Sequence, residues 1–371
     1  MDNYLSIIDY IIPFFAAFIL SLIFTYFVRK IAIAKQIVDK ADETNERKIH
    51  KTNIPLLGGI AIFISVVLVV LIYTLFSDRI LGGYVLPKYL WGMLIAGILL
   101  MLGGFLDDKY NLKPSKQIMW PILATLTVIG VGIGINYITN PFGGTINFDT
   151  IKIELFTIEN IPYYFIVLAD IFAFLWLMGM MYTTKFLDGL DGLVSGITTI
   201  GAFILFFLSL NSDVAQPETA LLSIILAGAT AGFLIWNFHP AKIFLGEGGS
   251  LFMGFMLGVL SIISGAKIAT ALLIMGIPIL DVVWVIIRRV LIDKKSPFSS
   301  ADKKHLHFRL LDVGLSHRQV VLLLYFISLS FGSVAIFMSG QEKFIALCLM
   351  VFVMILFVWF IIKRYRNRKI N

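Results

Sequence analysis

Carboxylate side chains recur in pairs at the edges of apolar runs in this 371-residue chain. Asp107 and Asp108 close one run, while Asp188 and Asp191 lie three residues apart before another, each followed by glycine. Helix or turn geometry would place Asp188 and Asp191 on one side, and glycine permits close backbone approach. Carboxylates in such sets can hold magnesium. The alternatives are a solvated loop start at Asp107 and Asp108 and a helix N-cap at Asp191.

A glycine-rich segment at 246–249 leads into another apolar run and contains a further carboxylate, Glu247. Glycines before a helix N-terminus form a ready anion site, because free backbone N–H groups point at the ligand. Glu247 fits a magnesium–phosphate site better than a bare anion site. A tight re-entry turn would explain the same glycines without a ligand.

His305, His307 and Arg309 alternate along the chain, so an extended segment would aim all three side chains the same way. Such a cationic, hydrogen-bonding row suits phosphate oxygens. The Lys-rich part of this loop also fits a juxtamembrane stretch that binds anionic lipid. Asp281 differs, because it lies inside an apolar run, where an acid is a functional candidate by default. Pairing with Arg288, two helical turns further on, would explain it structurally.

Composition places these residues in a membrane protein. Hydrophobic residues make up 59% of the chain and charged residues 14%, whereas soluble proteins carry roughly 25% charged residues. The one cysteine, Cys348, lies in an apolar run, which excludes disulfides and cysteine-based metal sites. The net charge of +7 has no basic soluble domain to hold it, so we expect no nucleic-acid partner.

Apolar runs of about 20 residues, the length that crosses a bilayer, predict eleven transmembrane helices. The predicted spans are 10–28, 56–76, 88–106, 118–137, 161–181, 193–210, 219–236, 249–264, 268–288, 319–339 and 343–362. An alternating pattern around Asp149 and Thr150 predicts a small hairpin near 143–155, on the outer side.

Lys and Arg residues divide unequally between the two sides of this map, with 25 on one side and 5 on the other. The positive-inside rule then puts the C-terminus in the cytoplasm and the N-terminus outside. No Lys or Arg precedes the first run, so we expect a retained helix rather than a signal peptide.

The predicted fold class is therefore an all-α integral membrane protein of the inner (plasma) membrane. It forms a single polytopic domain over residues 1–371. Its cytoplasmic loops hold all the candidate groups except Asp281, and they are expected to form the active site together. These loops are 29–55, 107–117, 182–192, 237–248 and 289–318.

On these motifs the chain resembles the polyprenyl-phosphate N-acetylhexosamine-1-phosphate transferases of glycosyltransferase family 4. The resemblance covers nearly the whole chain and rests on six segments in family order. These are RKIHKTNIPLLGG (47–59), GGFLDDKYNL (103–112), FLDGLDGLVSG (186–196), NFHPAKIFLGEGGSLFMG (237–254), PILDVVWVIIRR (278–289) and HLHFRLLDVGLSHRQ (305–319). The HLHFRL form is similar to the N-acetylglucosamine-1-phosphate branch rather than to the muramoyl-pentapeptide branch of peptidoglycan synthesis.

The resemblance implies transfer of a sugar-1-phosphate from a UDP-sugar to undecaprenyl or another polyprenyl phosphate, with release of UMP. N-acetylglucosamine-1-phosphate is the expected group, and the product would start a cell-wall or surface polysaccharide such as teichoic acid or lipopolysaccharide. The expected cofactor is Mg²⁺, with Mn²⁺ as a substitute, and a homodimer is a reasonable assembly.

The resemblance also implies roles for individual residues. The catalytic set is Asp107, Asp108, Asp188, Asp191 and His305. The metal ligands are Asp108, Asp188 and Glu247. The substrate-binding set is Lys51, Lys185, Asn237, Phe244, Gly246, His307 and Arg309.

Four positions depart from the family pattern. Asn111 stands where a third acid is usual, and Tyr182 and Lys185 replace two asparagines. Lys185 puts a positive charge beside the site, where it could bind a phosphate or displace part of the metal's role. Glu247 replaces an aspartate and extends the carboxylate by one methylene. These departures leave the donor sugar open, and a catalytically weak scaffold is one alternative.

Two other functions compete with this interpretation. A phospho-N-acetylmuramoyl-pentapeptide transferase would use the same motifs on a different donor. A secondary transporter would place ionisable residues near the membrane middle, whereas Asp281 is the only firm buried acid among the candidates. An intramembrane metalloprotease is excluded by the lack of a His-Glu-x-x-His motif.

Overall fold

A computed structural model describes residues 6–40, 52–77, 79–81, 83–158, 161–212, 214–265, 268–291, 294, 305–338 and 340–370. Helices dominate these residues, which confirms the predicted all-α class. The helices are α1 Ile7–Ala34, α2 Gly58–Phe76, α3 Pro87–Tyr110, α4 Pro114–Gln117, α5 Met119–Gly130, α6 Val167–Leu187, α7 Leu193–Leu210, α8 Pro217–Asn237, α9 Gly246–Ile263, α10 Ile268–Leu291, α11 Leu306–Asp312, α12 His317–Phe337 and α13 Gly340–Ile370.

Three antiparallel pairs of short strands interrupt the helices. The strands are β1 Val38–Asp39, β2 Ile54–Pro55, β3 Tyr137–Thr139, β4 Thr145–Asn147, β5 Lys152–Ile158 and β6 Ile161–Ile166, paired in that order. The predicted hairpin near 143–155 is therefore replaced by two hairpins, β3–β4 and β5–β6. Strand β6 also occupies the start of the predicted span 161–181, so the helix there begins later, at Val167.

Ten helices in the described part of the chain are long and apolar enough to cross a membrane, namely all except α4, α5 and α11. The chain is thus a multi-pass membrane protein. Helix α9 lies at its centre, with 89% of its apolar window buried, against 28% in α1 and 17% in α13. The peripheral helices expose large apolar side chains instead, as a lipid-facing surface requires.

The predicted span 118–137 contains only the 12-residue helix α5, about 18 Å long. Gly132 has a φ of +90°, which ends the helix there. The chain continues through buried Ile133 and Ile135 until Thr139 lies against Gly340, the first residue of α13. The backbone that follows α5 is therefore irregular and covered by protein.

The bundle has two ends with different contents. At one end, which we call the site end, α3, α6, α8 and α10 finish and α2, α7, α9 and α12 begin. The opposite end, the far end, carries the hairpins β3–β4 and β5–β6. The described parts of the predicted cytoplasmic loops lie at the site end. Helix α1 begins at the far end and α13 finishes at the site end, and the orientation of the bundle in the membrane stays a prediction from the charge count.

Candidate functional site

Close glycine contacts bring three helices together at the site end. A Cβ atom on Gly104 of α3 would collide with the backbone of Gly248 on α9, and one on Gly59 of α2 would collide with that of Gly249. Gly246 has a φ of +73°, and its missing side chain leaves room for the Asp108 carboxylate. These glycines allow the first turn of α9 to lie against the last turn of α3.

The two adjacent aspartates of α3 have different partners. Asp108 Oδ1 accepts a hydrogen bond from the Glu247 backbone N–H at 3.1 Å. Asp107 Oδ1 accepts from Leu112 N at 2.8 Å and from Gln117 Nε2 at 2.9 Å. A carboxylate of the protein itself thus binds one of the N–H groups at the start of α9. Binding of an external anion there stays a prediction.

Asn111 ends α3 where the family pattern has a third acid. Its φ of 49° is left-handed, and its N–H donates to Asp107 O at 2.7 Å. Asparagine tolerates this conformation better than most residues. Asparagine at position 111 therefore favours the left-handed turn that follows Asp107 and Asp108.

Lys185 is the cation that enters this group of carboxylates. Its ammonium group forms an ion pair with Glu247 and donates a hydrogen bond to Gln117 Oε1 at 3.2 Å. It also lies 5.6 Å from the centre of the Tyr182 ring. Gln117 thus bridges Lys185 and Asp107, a role that nothing in its sequence context indicates.

Asp188 follows α6 directly as its C-cap, and its side chain remains accessible to solvent although protein packs around it. Burial, followed by the nearby carboxylates of Glu247 and Asp191, raises the pKa of Asp188 to about 7. A carboxylate with like charges for neighbours and a raised pKa is a functional-site candidate. We call Asp107, Asp108, Asp188 and Glu247 the acidic cluster.

Asp191 faces away from the acidic cluster towards two histidines. Its Oδ2 accepts from His239 Nδ1 at 2.7 Å and from Ala241 N at 3.0 Å. The His239 ring stacks on His317 with 4.1 Å between ring centres. Gly192, not Asp191, is the N-cap of α7, so the alternative N-cap role of Asp191 is wrong.

The ligand atoms of Asp191, His239 and His317 lie within 4.8 Å of one another, the one such group among the described residues. The predicted metal ligands Asp108, Asp188 and Glu247 are therefore not gathered as closely as a closed metal shell. Magnesium sites that also bind phosphates use only one or two carboxylates and keep waters. The hard oxygen donors of the acidic cluster fit such an open site.

The segment with His305, His307 and Arg309 is helical rather than extended, which corrects the predicted row. His305 is the N-cap of α11, and buried Leu306 and Leu310, four residues apart, fold the segment as one apolar helix face. Arg309 therefore lies on a helix and does not continue a row with the two histidines.

Asp281 holds the start of α11. Its carboxylate accepts from His305 Nδ1 at 2.9 Å and from Leu306 N at 2.8 Å. The His305 ring also stacks near Phe186, with 6.0 Å between ring centres. The buried acid of α10 thus binds the site end of the molecule and gives no support to a transporter.

His307 is buried and packs over Gly189, where a Cβ atom would collide with its ring. Burial, followed by the charges of His305 and His317, lowers the pKa of His307 to about 3. The lowered pKa favours the neutral ring, which offers hydrogen bonds rather than a positive charge. The place of His307 in the substrate-binding set stays a prediction. Its two ring nitrogens find no hydrogen-bond partner among the described residues.

Two predicted substrate-binding residues, Asn237 and Phe244, form hydrogen bonds with the backbone of neighbouring loops. Asn237 is buried, and its amide accepts from Gly192 N and Ser195 Oγ and donates to Ile243 O. Phe244 pairs its backbone with Pro55 and Gly58. Both residues hold loops of the site end together. Lys51 lies outside the described residues, as do Arg47, Lys48 and His50 of the same motif.

Tyr325 of α12 is a site-end residue that sequence reasoning missed. Its hydroxyl donates to Gly192 O, and a Cβ atom on Gly196 would collide with its ring. It therefore fixes the loop between Asp188 and α7. An isolated tyrosine in an apolar span carries no signal for such a role.

Comparison with known proteins shows similarity along most of the chain. The family model described as glycosyl transferase family 4 matches residues 90–265. A Bacillus subtilis protein named probable undecaprenyl-phosphate N-acetylglucosaminyl 1-phosphate transferase is 31% identical over 354 residues, which cover 94% of this chain and 90% of the relative.

Two further relatives carry related names. The decaprenyl-phosphate N-acetylglucosaminephosphotransferase of Mycolicibacterium smegmatis is 32% identical, over 81% of this chain and 76% of its own length. The undecaprenyl-phosphate alpha-N-acetylglucosaminyl 1-phosphate transferase of Thermotoga maritima is 29% identical, over 87% of this chain and 89% of its own length. All three relatives are therefore similar to this chain across its membrane bundle, not in one motif alone.

Proposed function

The chain belongs to the polyprenyl-phosphate N-acetylglucosamine-1-phosphate transferase family, glycosyl transferase family 4, and we propose that it transfers N-acetylglucosamine-1-phosphate from a UDP-sugar to undecaprenyl or another polyprenyl phosphate. UMP is the leaving group, and a polyprenyl diphosphate sugar is the product. The names of the relatives support this substrate pair. The product would start a lipid-linked surface polysaccharide.

The acidic cluster is the observation that carries this proposal. Helices α3 and α9, together with the residue that follows α6, bring the four carboxylates together at one end of a membrane bundle. A polyprenyl phosphate is confined to the membrane and a nucleotide sugar to water, so their reaction must occur at such an end. The excess of Lys and Arg in these loops supports a cytoplasmic position.

Magnesium fits the hard oxygen donors of the cluster. Asp108, Asp188 and Glu247 would hold it, with Glu247 also paired to Lys185. When bound, it would neutralise charge on the diphosphate of the donor. Mn²⁺ has the same oxygen preference and would substitute for it.

The transfer itself needs one bond made and one broken. An oxygen of the lipid phosphate attacks the phosphorus that carries the sugar, and the bond from that phosphorus to the UMP oxygen breaks. Asp107 is held by Leu112 and Gln117 and so has a fixed position from which to orient the attacking phosphate. Asp188, which is accessible to solvent, would border the diphosphate of the donor. His305, held by Asp281, and Arg309 on the same short helix α11 would bind its oxygens.

The test is UMP release by the purified protein in detergent, with UDP-N-acetylglucosamine, polyprenyl phosphate and Mg²⁺. We expect UMP in the complete mixture and none when lipid or metal is omitted. UMP from UDP-N-acetylmuramoyl-pentapeptide alone would assign the chain to the alternative donor. No UMP from either donor, by a folded protein, would reject the transferase.

A further inference from the structure

Lys185 is a built-in cation of the acidic cluster, and we infer that it competes with the divalent metal for Glu247 and supplies the positive charge for a diphosphate when no metal is bound. The inference deepens the proposed function and rests on it, because metal and diphosphate are the partners of that reaction. It predicts effects of opposite sign on the two ligands when Lys185 loses its charge.

The position of Lys185 makes it part of the cluster rather than of the surface. It lies on the last turn of α6, three residues before Asp188. Its side chain is 19% exposed and that of Glu247 is 17% exposed. Ion pairs on open surfaces are weak because water and salt screen them, and this pair is shielded from both.

The ion pair commits an oxygen of Glu247 to the ammonium group. The same ammonium binds Gln117, which in turn binds Asp107, so Lys185 connects two members of the acidic cluster. A divalent cation held by Glu247 would lie close to this ammonium, and like charges repel most strongly where water is excluded. The protein therefore lowers its own affinity for the metal at this point.

The opposite holds for an anion. Without metal, the carboxylates of the cluster repel a diphosphate, and Lys185 offsets part of that repulsion from within the group. Ammonium groups bind phosphate oxygens as compact charges with three donors. Removing the charge of Lys185 should therefore weaken the binding of a diphosphate without metal and strengthen the binding of a divalent metal.

The variant that tests this is Lys185→Gln, which keeps a side chain able to hydrogen-bond Glu247 and Gln117 without the charge. The matched control is Lys116→Gln, since Lys116 is exposed on α4, next to Gln117. Mn²⁺ binding to the purified protein, without nucleotide, is measured from the electron paramagnetic resonance signal of free Mn²⁺. UDP binding is measured by calorimetry in EDTA.

We expect Lys185→Gln to bind Mn²⁺ at least about tenfold more tightly and UDP in EDTA at least about fivefold more weakly than the unmodified chain. Lys116→Gln should change each by less than about twofold. Lys185→Arg, which keeps the charge, should resemble the unmodified chain. If Lys185→Gln does not keep its fold in a thermal melt, Lys185→Asn takes its place.

Three results would each overturn the inference. These are unchanged Mn²⁺ binding in Lys185→Gln, weaker binding of both Mn²⁺ and UDP in that variant, and equal shifts in Lys116→Gln. A lack of UDP binding to the unmodified chain in EDTA would overturn it as well. Neither measurement uses lipid or donor sugar. Opposite shifts without UMP release in the transferase assay would therefore reject the proposed function and leave the role of Lys185 standing.

Discussion

The two ends of the bundle balance charge in different ways. At the far end, Arg79 pairs with Asp9 and Lys152 with Asp149, and most of these four side chains are well exposed. Two further acids there, Asp170 and Glu218, are buried singly. At the site end, the four carboxylates of the acidic cluster lie together, and Glu247 forms an ion pair with Lys185. The far end thus holds its acids singly or in pairs, whereas the site end groups like charges.

Collecting like charge is costly for folding, since buried or crowded carboxylates disfavour their charged forms. The raised pKa of Asp188 is a direct sign of that cost. Active sites commonly group like charges in this way, because a bound ligand of opposite charge offsets the repulsion. The contrast between the ends therefore supports the site end as the place of the proposed transfer.

The largest effect on activity should come from neutralising a member of the acidic cluster. Asp108→Asn removes a carboxylate at the centre of the contacts between α3 and α9, and we expect UMP release to fall by about a thousandfold. Asp149→Asn at the far end is the matched control and should keep full activity. Equal losses in the two variants would erase the contrast between the ends.

The next effect concerns the packing that assembles the cluster. Gly248→Ala adds a Cβ atom against the backbone of α3, and we expect a loss of about 2–4 kcal/mol in stability together with most of the activity. Gly179→Ala on α6 is the control, because open space surrounds that glycine. Thermal melts in detergent compare the two. A Gly248→Ala protein as stable as Gly179→Ala would show that the close approach of α3 and α9 is not required.

A smaller effect should follow pH through His307. The folded pKa of about 3 lies below the ordinary value of 6.5, so the unfolded chain binds a proton first as pH falls. Stability contributed by this group is thus full above pH 6.5 and is lost as pH falls towards 3. Between pH 7 and pH 5 the loss is about 2 kcal/mol, or roughly 4 °C in melting temperature.

His307→Gln should remove this part of the pH dependence. Melting temperatures at pH 7 and pH 5 are compared for the variant and the unmodified chain. Parallel decreases in both proteins would show that His307 is not the neutral, buried group that the structure describes.

The smallest effect should come from the far end. Arg79→Gln breaks the ion pair with Asp9, in which the Arg79 side chain is 43% exposed. Exposed ion pairs contribute about 0–1 kcal/mol to the free energy of unfolding. We expect UMP release to remain unchanged and the melting temperature to move only slightly. A large loss of activity in Arg79→Gln would mean that the far end takes part in the site.

The sequence predicted the membrane bundle well because length and apolarity decide which helices cross. It failed at α5, where hydropathy is high but Gly132 ends the helix, and neighbouring protein rather than helix geometry covers the remaining backbone. It failed again at α11, because the alternation of His305, His307 and Arg309 predicts an extended segment, whereas burial of Leu306 and Leu310 on one face makes it a helix.

For the site, the sequence identified the carboxylates through their glycine-flanked spacing but not their partners. Gln117 and Tyr325 complete the hydrogen-bonding network from other segments, and nothing local marks them. His239 lies in the quoted segment 237–254, but its pairing with Asp191 is not visible there. Lys185 was noticed as a departure from the family pattern, and only the fold shows that Glu247, a second departure, is its partner. Contacts between distant segments are set by packing, which a single sequence does not display.

The most direct test of the claim that the site end binds the substrates compares ligand-induced stabilisation of one variant from each end. UDP with Mg²⁺ is added to the unmodified chain, Asp188→Asn and Asp149→Asn, and the shift in melting temperature is recorded for each. Binding to the folded state raises stability with the logarithm of the ligand excess over Kd. The account predicts a clear rise for the unmodified chain and Asp149→Asn and almost none for Asp188→Asn. An equal rise in Asp188→Asn would contradict it.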